Sequence, residues 1–257
     1  MSQSGVWPAQ PAACVRTLDW EHLQGLRIPD PQADLSVFVA PRGLAVRVPE
    51  QMLSADEMAR CARLRRPEDR ERFLAAHGLK RRILGDLLNA RPEALRFACG
   101  KDGKPRLEPL DLHFNLSHSG NWVALAISMQ FAVGVDVERA DRVRLEELRS
   151  RIEHPSEHLL PVPDSIGAGL LTRWTLKEAI TKASGRGLRQ PFQQLRLEPQ
   201  GGGVYSCRSD DEHWYAAHRL LEDGTHLAFA CQRPWRGLRL FKVFSSAEGS
   251  RGSRAAN

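Results

Sequence analysis

Val133-Gly-Val-Asp-Val-Glu138 is the stretch whose residue types and spacing say most about chemistry. Valines 133, 135 and 137 alternate with Gly134, Asp136 and Glu138. In a strand, alternate residues share a face, so the valines would be buried and both carboxylates would point the other way, roughly 6.5–7 Å apart. Two carboxylates at that spacing can converge on one hard cation. Mg2+ is the default, because it takes oxygen ligands and keeps waters and substrate phosphates in its shell. A half-exposed strand with a polar face would show the same pattern. Trp174, Glu178 and Lys182 follow at i, i+4 and i+8, one stripe of a helix. That stripe could offer an aromatic wall, a carboxylate and an ammonium to one ligand. It could equally be a surface Glu–Lys pair worth a few tenths of a kcal/mol.

Two further stretches suit anions. In His113-Phe-Asn-Leu-Ser-His-Ser-Gly120 a strand pattern ends in hydroxyls and an imidazole, which can grip phosphate oxygens. A serine nucleophile is not expected there. The run lacks a Gly-x-Ser-x-Gly elbow, and a directly adjacent histidine is poorly placed to activate its neighbour. Gly100-Lys-Asp-Gly-Lys-Pro105 is a glycine-rich turn with two lysines, able to approach an anion closely but unlike a Walker A loop.

The elements that must position these residues are legible in outline. Leu35–Ala40 reads as a strand. Ser54 followed by Glu57 is a capping box that should start a helix. Pro67 suits the first turn of a second helix, in which Phe73, Ala76, Ile83, Leu84, Leu87 and Leu88 recur at helical spacing to about Asn89. The opposite face of that helix carries Arg70, His77, Arg81 and Arg82. Strands are expected at Arg96–Ala98, His113–Leu116, Trp122–Ser128 and Val133–Glu138. Helices follow at Leu145–Ile152 and Gly167–Ser184, the latter capped by Gly185. Strands return at Leu195–Leu197, Tyr215–Leu221, His226–Gln232 and Leu238–Val243. Mixed order with hairpin-length gaps predicts an α+β fold with mainly antiparallel sheets.

Composition narrows the class. The 257 residues are 42% apolar and 26% charged, enough for one large domain or two small ones with a real core. No run of about 18 apolar residues predicts a spanning helix, and the N-terminus lacks a basic start before an apolar stretch, so a cytoplasmic location is expected. Five scattered cysteines without a Cys-x-x-Cys pair argue against a disulfide framework or a zinc site. The net charge of +6 favours anionic partners, and much of it lies between Arg60 and Arg82. A solvated helix face would account for that run equally well.

In order along the chain stand Gly103-Lys104-Pro105, Asn115-Leu116-Ser117-His118-Ser119, Gly134-Val135-Asp136-Val137-Glu138, Trp174-Thr175-Leu176-Lys177-Glu178 through Lys182, and Gly185-Arg186-Gly187-Leu188. Together they resemble the 4'-phosphopantetheinyl transferases, specifically the Sfp-like branch. The resemblance covers roughly residues 100–190, and the arginine-rich helix before them is similar too. One match would carry little weight; the first four of these in the right order are specific, and the glycine-rich exit adds a fifth. The resemblance implies two similar α/β halves with pseudo-twofold symmetry. They would span 33–130 and 131–244, after a loose extension at 1–32 and before a disordered tail at 245–257.

It also implies a reaction: the 4'-phosphopantetheine arm of coenzyme A moves to a serine of an apo acyl or peptidyl carrier protein, releasing 3',5'-ADP. This is the holo-[acyl-carrier-protein] synthase type of activity, used in fatty acid, polyketide and nonribosomal peptide synthesis. By motif, Asp136, Glu138 and Glu178 would bind Mg2+. Glu178 would also take the serine proton, and Lys182 would neutralise the transferred phosphate, so Glu178, Lys182 and Asp136 are the catalytic set. Arg70, His77, Lys104, Pro105, Ser117, His118 and Lys182 would contact coenzyme A. An arginine is usual in the family where His77 aligns, one departure at a phosphate contact. The partner would be an acidic carrier steered by the basic balance of the chain. No nucleic acid or membrane is implied, and the branch is usually monomeric, so a monomer is expected. A metal-dependent nuclease would use a similar acidic cluster, but its last acid and lysine usually sit two apart on a strand, not four apart on a helix. A non-catalytic nucleic-acid module would leave the paired carboxylates unexplained.

Overall fold

Alternating and continuous apolar runs build two five-stranded sheets, and two long helices with apolar stripes cover them. The structure is a computed structural model that describes residues 15–23, 35–100, 103–110, 112–139, 145–159, 166–209, 212–235 and 237–246. The strands are β1 (Val15–Asp19), β2 (Leu35–Pro41), β3 (Arg96–Cys99), β4 (Pro105–Glu108), β5 (His113–Ser119), β6 (Trp122–Ser128), β7 (Val133–Glu138), β8 (Arg196–Gly201), β9 (Val204–Ser209), β10 (Glu212–Leu220), β11 (His226–Cys231) and β12 (Leu238–Phe244). The α-helices are α1 (Ala55–Ala62), α2 (Pro67–Leu87), α3 (Leu145–Ile152) and α4 (Ile166–Ser184). The first sheet has the order β1-β12-β2-β6-β5, the second β7-β11-β10-β9-β8, and β3 pairs with β4 alone. Pairing is antiparallel except where β12 lies parallel to β1 and β2. This is the mixed α+β, mainly antiparallel fold expected from the sequence.

One element order occurs twice. A strand, two helices, a hairpin and two antiparallel strands run from β2 to β6, and again from β7 to β11. In space β2-β6-β5 corresponds to β7-β11-β10. Each long helix lays its apolar stripe on its own sheet: Phe73, Ala76, Leu79 and Ile83 of α2 in one core, Leu176, Ala179, Ile180 and Ala183 of α4 in another. Each half also buries a glutamate that caps a helical turn and pairs with a lysine of the long helix. Glu57 closes the expected capping box with Ser54 and receives Lys80 Nζ at 2.6 Å and Arg81 Nε at 2.6 Å. Glu157 accepts the His154 N–H at 2.9 Å and Lys177 Nζ at 2.7 Å, both side chains fully buried.

The structure corrects several expectations. Within the lead-in read as loose, β1 is a strand, and Trp20 and Leu23 are buried in the first core. Residues 1–14 and 24–32 lie outside the described residues. Ser245, taken as the start of a disordered tail, is buried, with its hydroxyl donating to Glu21 Oε1 at 3.2 Å; 247–257 lie outside the described residues. The arginine-rich face of α2 is not simply solvated: Arg72 and Arg81 are buried. Strand β12, counted with the second half, belongs to the first sheet. Strands β1, β4 and β9 were not expected. Among the described residues no helix is long and apolar enough to cross a membrane.

Candidate active site

The site lies where the two sheets meet edge to edge. β5 ends the first sheet and β7 the second, and no backbone ladder joins them. Side chains of β5 do so instead. Asn115, Ser117 and Ser119 share one face because strand residues alternate. Asn115 Oδ1 accepts the Val135 N–H at 2.8 Å. Ser117 Oγ accepts the Val137 N–H at 3.3 Å and donates to Asp136 Oδ1 at 3.0 Å. Ser119 Oγ donates to Glu138 Oε2 at 3.0 Å. The steady offset means that the two strands run side by side in the same direction, forming a seam about 20 Å long. Lys104 fastens its start, donating to Val133 O at 2.7 Å and Ala183 O at 3.2 Å.

Helix α4 closes onto the other side of β7, and Gly134 permits it. A Cβ at Gly134 would lie 2.0 Å from Ala179 O and 2.5 Å from Ala183 N, so only glycine lets the helix backbone come this near. The contact brings the polar end of the α4 stripe over the carboxylates. Lys182 Nζ donates to Asp136 Oδ1 at 2.6 Å and to Ser117 Oγ at 3.1 Å. Burial works against the Lys182 ammonium, but Asp136, Glu178 and Glu138 outweigh it and raise its pKa, so the lysine is charged. Glu178 is pushed up to about 7, first by burial, then by the charges of Asp136 and Glu138, with Lys182 opposing. A carboxylate so raised is poised to exchange a proton near neutrality. Trp174, expected as an aromatic wall, instead packs edge-to-face on Phe192 against the second-half core.

The acids fit a hard cation in donor type. Asp136 Oδ2 is buried without a hydrogen-bond partner, an arrangement that costs free energy unless something binds it. Three mutually repelling carboxylates are also what a divalent ion relieves. They do not form a ready-made cage: among the described residues no three His, Cys, Asp or Glu side chains close into a metal-binding group. Lys182 is the cation that Asp136 holds here.

The other predicted contacts scatter. Ser117 is buried and committed to Asp136, β7 and Lys182, not offered outward as a phosphate grip. His118 is exposed at the strand end, and its crowded surroundings and the charge of Arg72 lower its pKa. Lys104 and Pro105 line a cleft of about 870 Å³ at the start of the seam, with Gly100, His113, Ala132 and Ala183. Arg70 is exposed and donates to Leu64 O at 2.7 Å. His77 stacks on Phe73 and hydrogen-bonds Glu57 at 2.8 Å, inside the first half.

Arg72 is the residue missed. It donates to Gly120 O at 3.1 Å and to Asp69, and it lines a second cleft of about 610 Å³ with Arg42, Arg66 and Arg139, where β5 and β7 end. Its signal was its helical phase. Arg72, Ala76, Leu79 and Ile83 form one buried stripe, so this arginine is carried inward to the end of the sheet. The arrangement can hold an elongated polyanion along the seam, with phosphates at the arginine end, an ammonium and two carboxylates midway, and a raised carboxyl group as proton acceptor.

Residues 132–231 match the family model described as the 4'-phosphopantetheinyl transferase superfamily, and residues 42–130 match the model for the N-terminal region of 4'-phosphopantetheinyl transferase. The chain is 34% identical over 190 residues to the 4'-phosphopantetheinyl transferase HetI of Nostoc sp., covering 71% of this chain and 76% of that protein. It is 33% identical over 187 residues to a putative 4'-phosphopantetheinyl transferase of Synechocystis sp., covering 68% and 75%. It is 30% identical over 188 residues to the 4'-phosphopantetheinyl transferase Sfp of Bacillus subtilis, covering 71% and 83%.

Proposed function

Because the chain belongs to the 4'-phosphopantetheinyl transferase superfamily, in its Sfp-like branch, and so is a phosphopantetheinyl transferase, we propose that it performs the Mg2+-dependent, holo-[acyl-carrier-protein] synthase type of reaction at the seam between β5 and β7. Coenzyme A is the donor and the serine hydroxyl of an apo carrier protein the acceptor. A new O–P bond forms on the phosphate nearer the pantetheine, the pyrophosphate P–O bond breaks, and 3',5'-ADP leaves. The observation that carries this is Asp136 Oδ2, buried and unpartnered beside Lys182 and a Glu178 whose pKa is raised to about 7.

Asp136, Glu138 and Glu178 would hold the metal, which supplies charge neutralisation on the pyrophosphate. Glu178 accepts the proton of the carrier serine. Lys182 offsets negative charge on the phosphate being transferred, the main requirement of phosphoryl transfer. His118 and the arginines at the end of the seam suit the anionic part of the donor, and the cleft around Lys104 and Pro105 suits its other end. We further propose that residues 33–130 and 131–244 act as the two halves, with β12 returned to the first, in a cytoplasmic monomer whose acidic partner approaches the basic face. The test is incubation with coenzyme A, Mg2+ and several apo carriers. A gain of roughly 340 Da on a carrier is expected from the transferred arm. No gain on any carrier overturns the proposal.

A further inference from the structure

We propose that Ser119 is a positioning residue: its hydroxyl, contributed by the first half, orients the Glu138 carboxylate of the second half for a divalent cation. This rests on the metal reading above. Ser119 is 1% exposed, and its Oγ donates to Glu138 Oε2 at 3.0 Å. Ser117, two residues earlier on the same face, does the same for Asp136 Oδ1. Each β7 carboxylate therefore has one oxygen tied to a β5 serine, and for Asp136 the other oxygen is buried without a partner. A donor on one oxygen fixes the carboxylate plane and limits its rotation before any ion arrives. Partners of this kind behind metal ligands are typically worth 10- to 100-fold in affinity.

Asn115 supplies an internal control. It lies on the same face of β5 and spans the same seam, yet among the described residues its side chain binds only the backbone N–H of Val135. Removing it loosens the junction without touching a carboxylate. The site is thus oriented from across the junction, by a strand that contributes none of its three acids.

The experiment titrates Mn2+ into the full-length protein without coenzyme A or carrier, reading free Mn2+ by electron paramagnetic resonance. Ser119→Ala should weaken Mn2+ binding about 10-fold or more, and Ser119→Thr, which keeps the hydroxyl, should restore it to within about threefold. Asn115→Ala should lower Tm while leaving Mn2+ affinity within about twofold. Wild-type affinity in Ser119→Ala, or equal weakening in Asn115→Ala, overturns the inference. Should Ser119→Ala not fold, Ser119→Cys keeps the size with a weaker donor and must still bind more weakly. If the wild-type protein transfers the arm yet takes up no Mn2+, the metal reading falls and takes this inference with it; a loss confined to Ser119 does not.

Discussion

Glu178 is asked to act as a base, and its surroundings suit that task. Before any cation binds, burial and two neighbouring carboxylates raise it to about 7, while Lys182 alone pulls the other way. A base with a pKa near the working pH has the best combination of ionised fraction and proton affinity. Glu178→Gln keeps the shape and removes the charge. Turnover should fall at least about 100-fold, the low end of a general base's contribution. Coenzyme A affinity, measured by calorimetry, should change only a few-fold, because the lost interaction belongs to the transition state. Near-normal turnover removes Glu178 from the base role. At this scale the sequence is most legible where ordered motifs fix the register: Asp136, Glu138, Glu178 and Lys182 lie close enough to shift one another's protonation. On α2 nothing punctuates the arginines. Arg70 and His77 were named, yet Arg72 reaches the seam.

The strand β7 and helix α4 form the element-scale unit of the proposed site, and their spacing depends on Gly134. Adding one methyl group there sets it against backbone atoms that have no rotamer to escape into. Gly134→Ala should therefore force α4 off the sheet. A cost of about 1–3 kcal/mol follows for overpacking against backbone, or a fall in Tm of about 2–12 °C. Thermal denaturation checks this, and an unchanged Tm would mean that α4 can lift at no cost. The helices and the buried strands were legible because their periodicities of 3.6 and 2 are long and clean. The strands that escaped notice have local reasons. β4 opens on Pro105 and carries Arg106 and Glu108, β9 follows Gly201-Gly202-Gly203 and is half polar with Ser206, Arg208 and Ser209, and β1 lies in a Pro- and Ala-rich stretch. Nor could spacing within one strand show that Asn115, Ser117 and Ser119 would serve in place of a ladder to another sheet.

The molecule as a whole repeats one plan, and the repeat hid in the sequence because its copies do different work. The fourth and sixth residues of β7 are Asp136 and Glu138; those of β2 are Phe38 and Ala40, buried in the first core. One copy keeps the site, and the other fills the same layer with apolar bulk. The buried charges also set how the molecule answers to acid. His218, hydrogen-bonded to His226 at 2.9 Å, is pushed down to about 3, chiefly by burial. Its folded pKa is below its unfolded value near 6.5, so the unfolded chain takes up a proton that the folded one refuses. That contribution is complete above pH 6.5 and lost as pH falls toward 3. Glu57 is held below the carboxylate range, because His77 and Lys80 outweigh the burial that would raise it, so its contribution fades below about pH 4.3. Stability should fall by up to about 1.4 kcal/mol per pH unit from His218 alone below pH 6.5, then more steeply in the range of Glu57. Urea denaturation across pH 8 to 4 measures it. His218→Gln should flatten the slope between pH 6.5 and 5, and an unaltered slope assigns the effect elsewhere. Finally, β12 lies between β1 and β2. A ribosome delivers β2 early and β12 after every other described strand, so the first sheet carries an open gap while residues 42–237 are being made. At 5–20 residues per second that is roughly 10–40 s. The half translated first is the half completed last, and its exposed strand edges are open to chaperones throughout that interval.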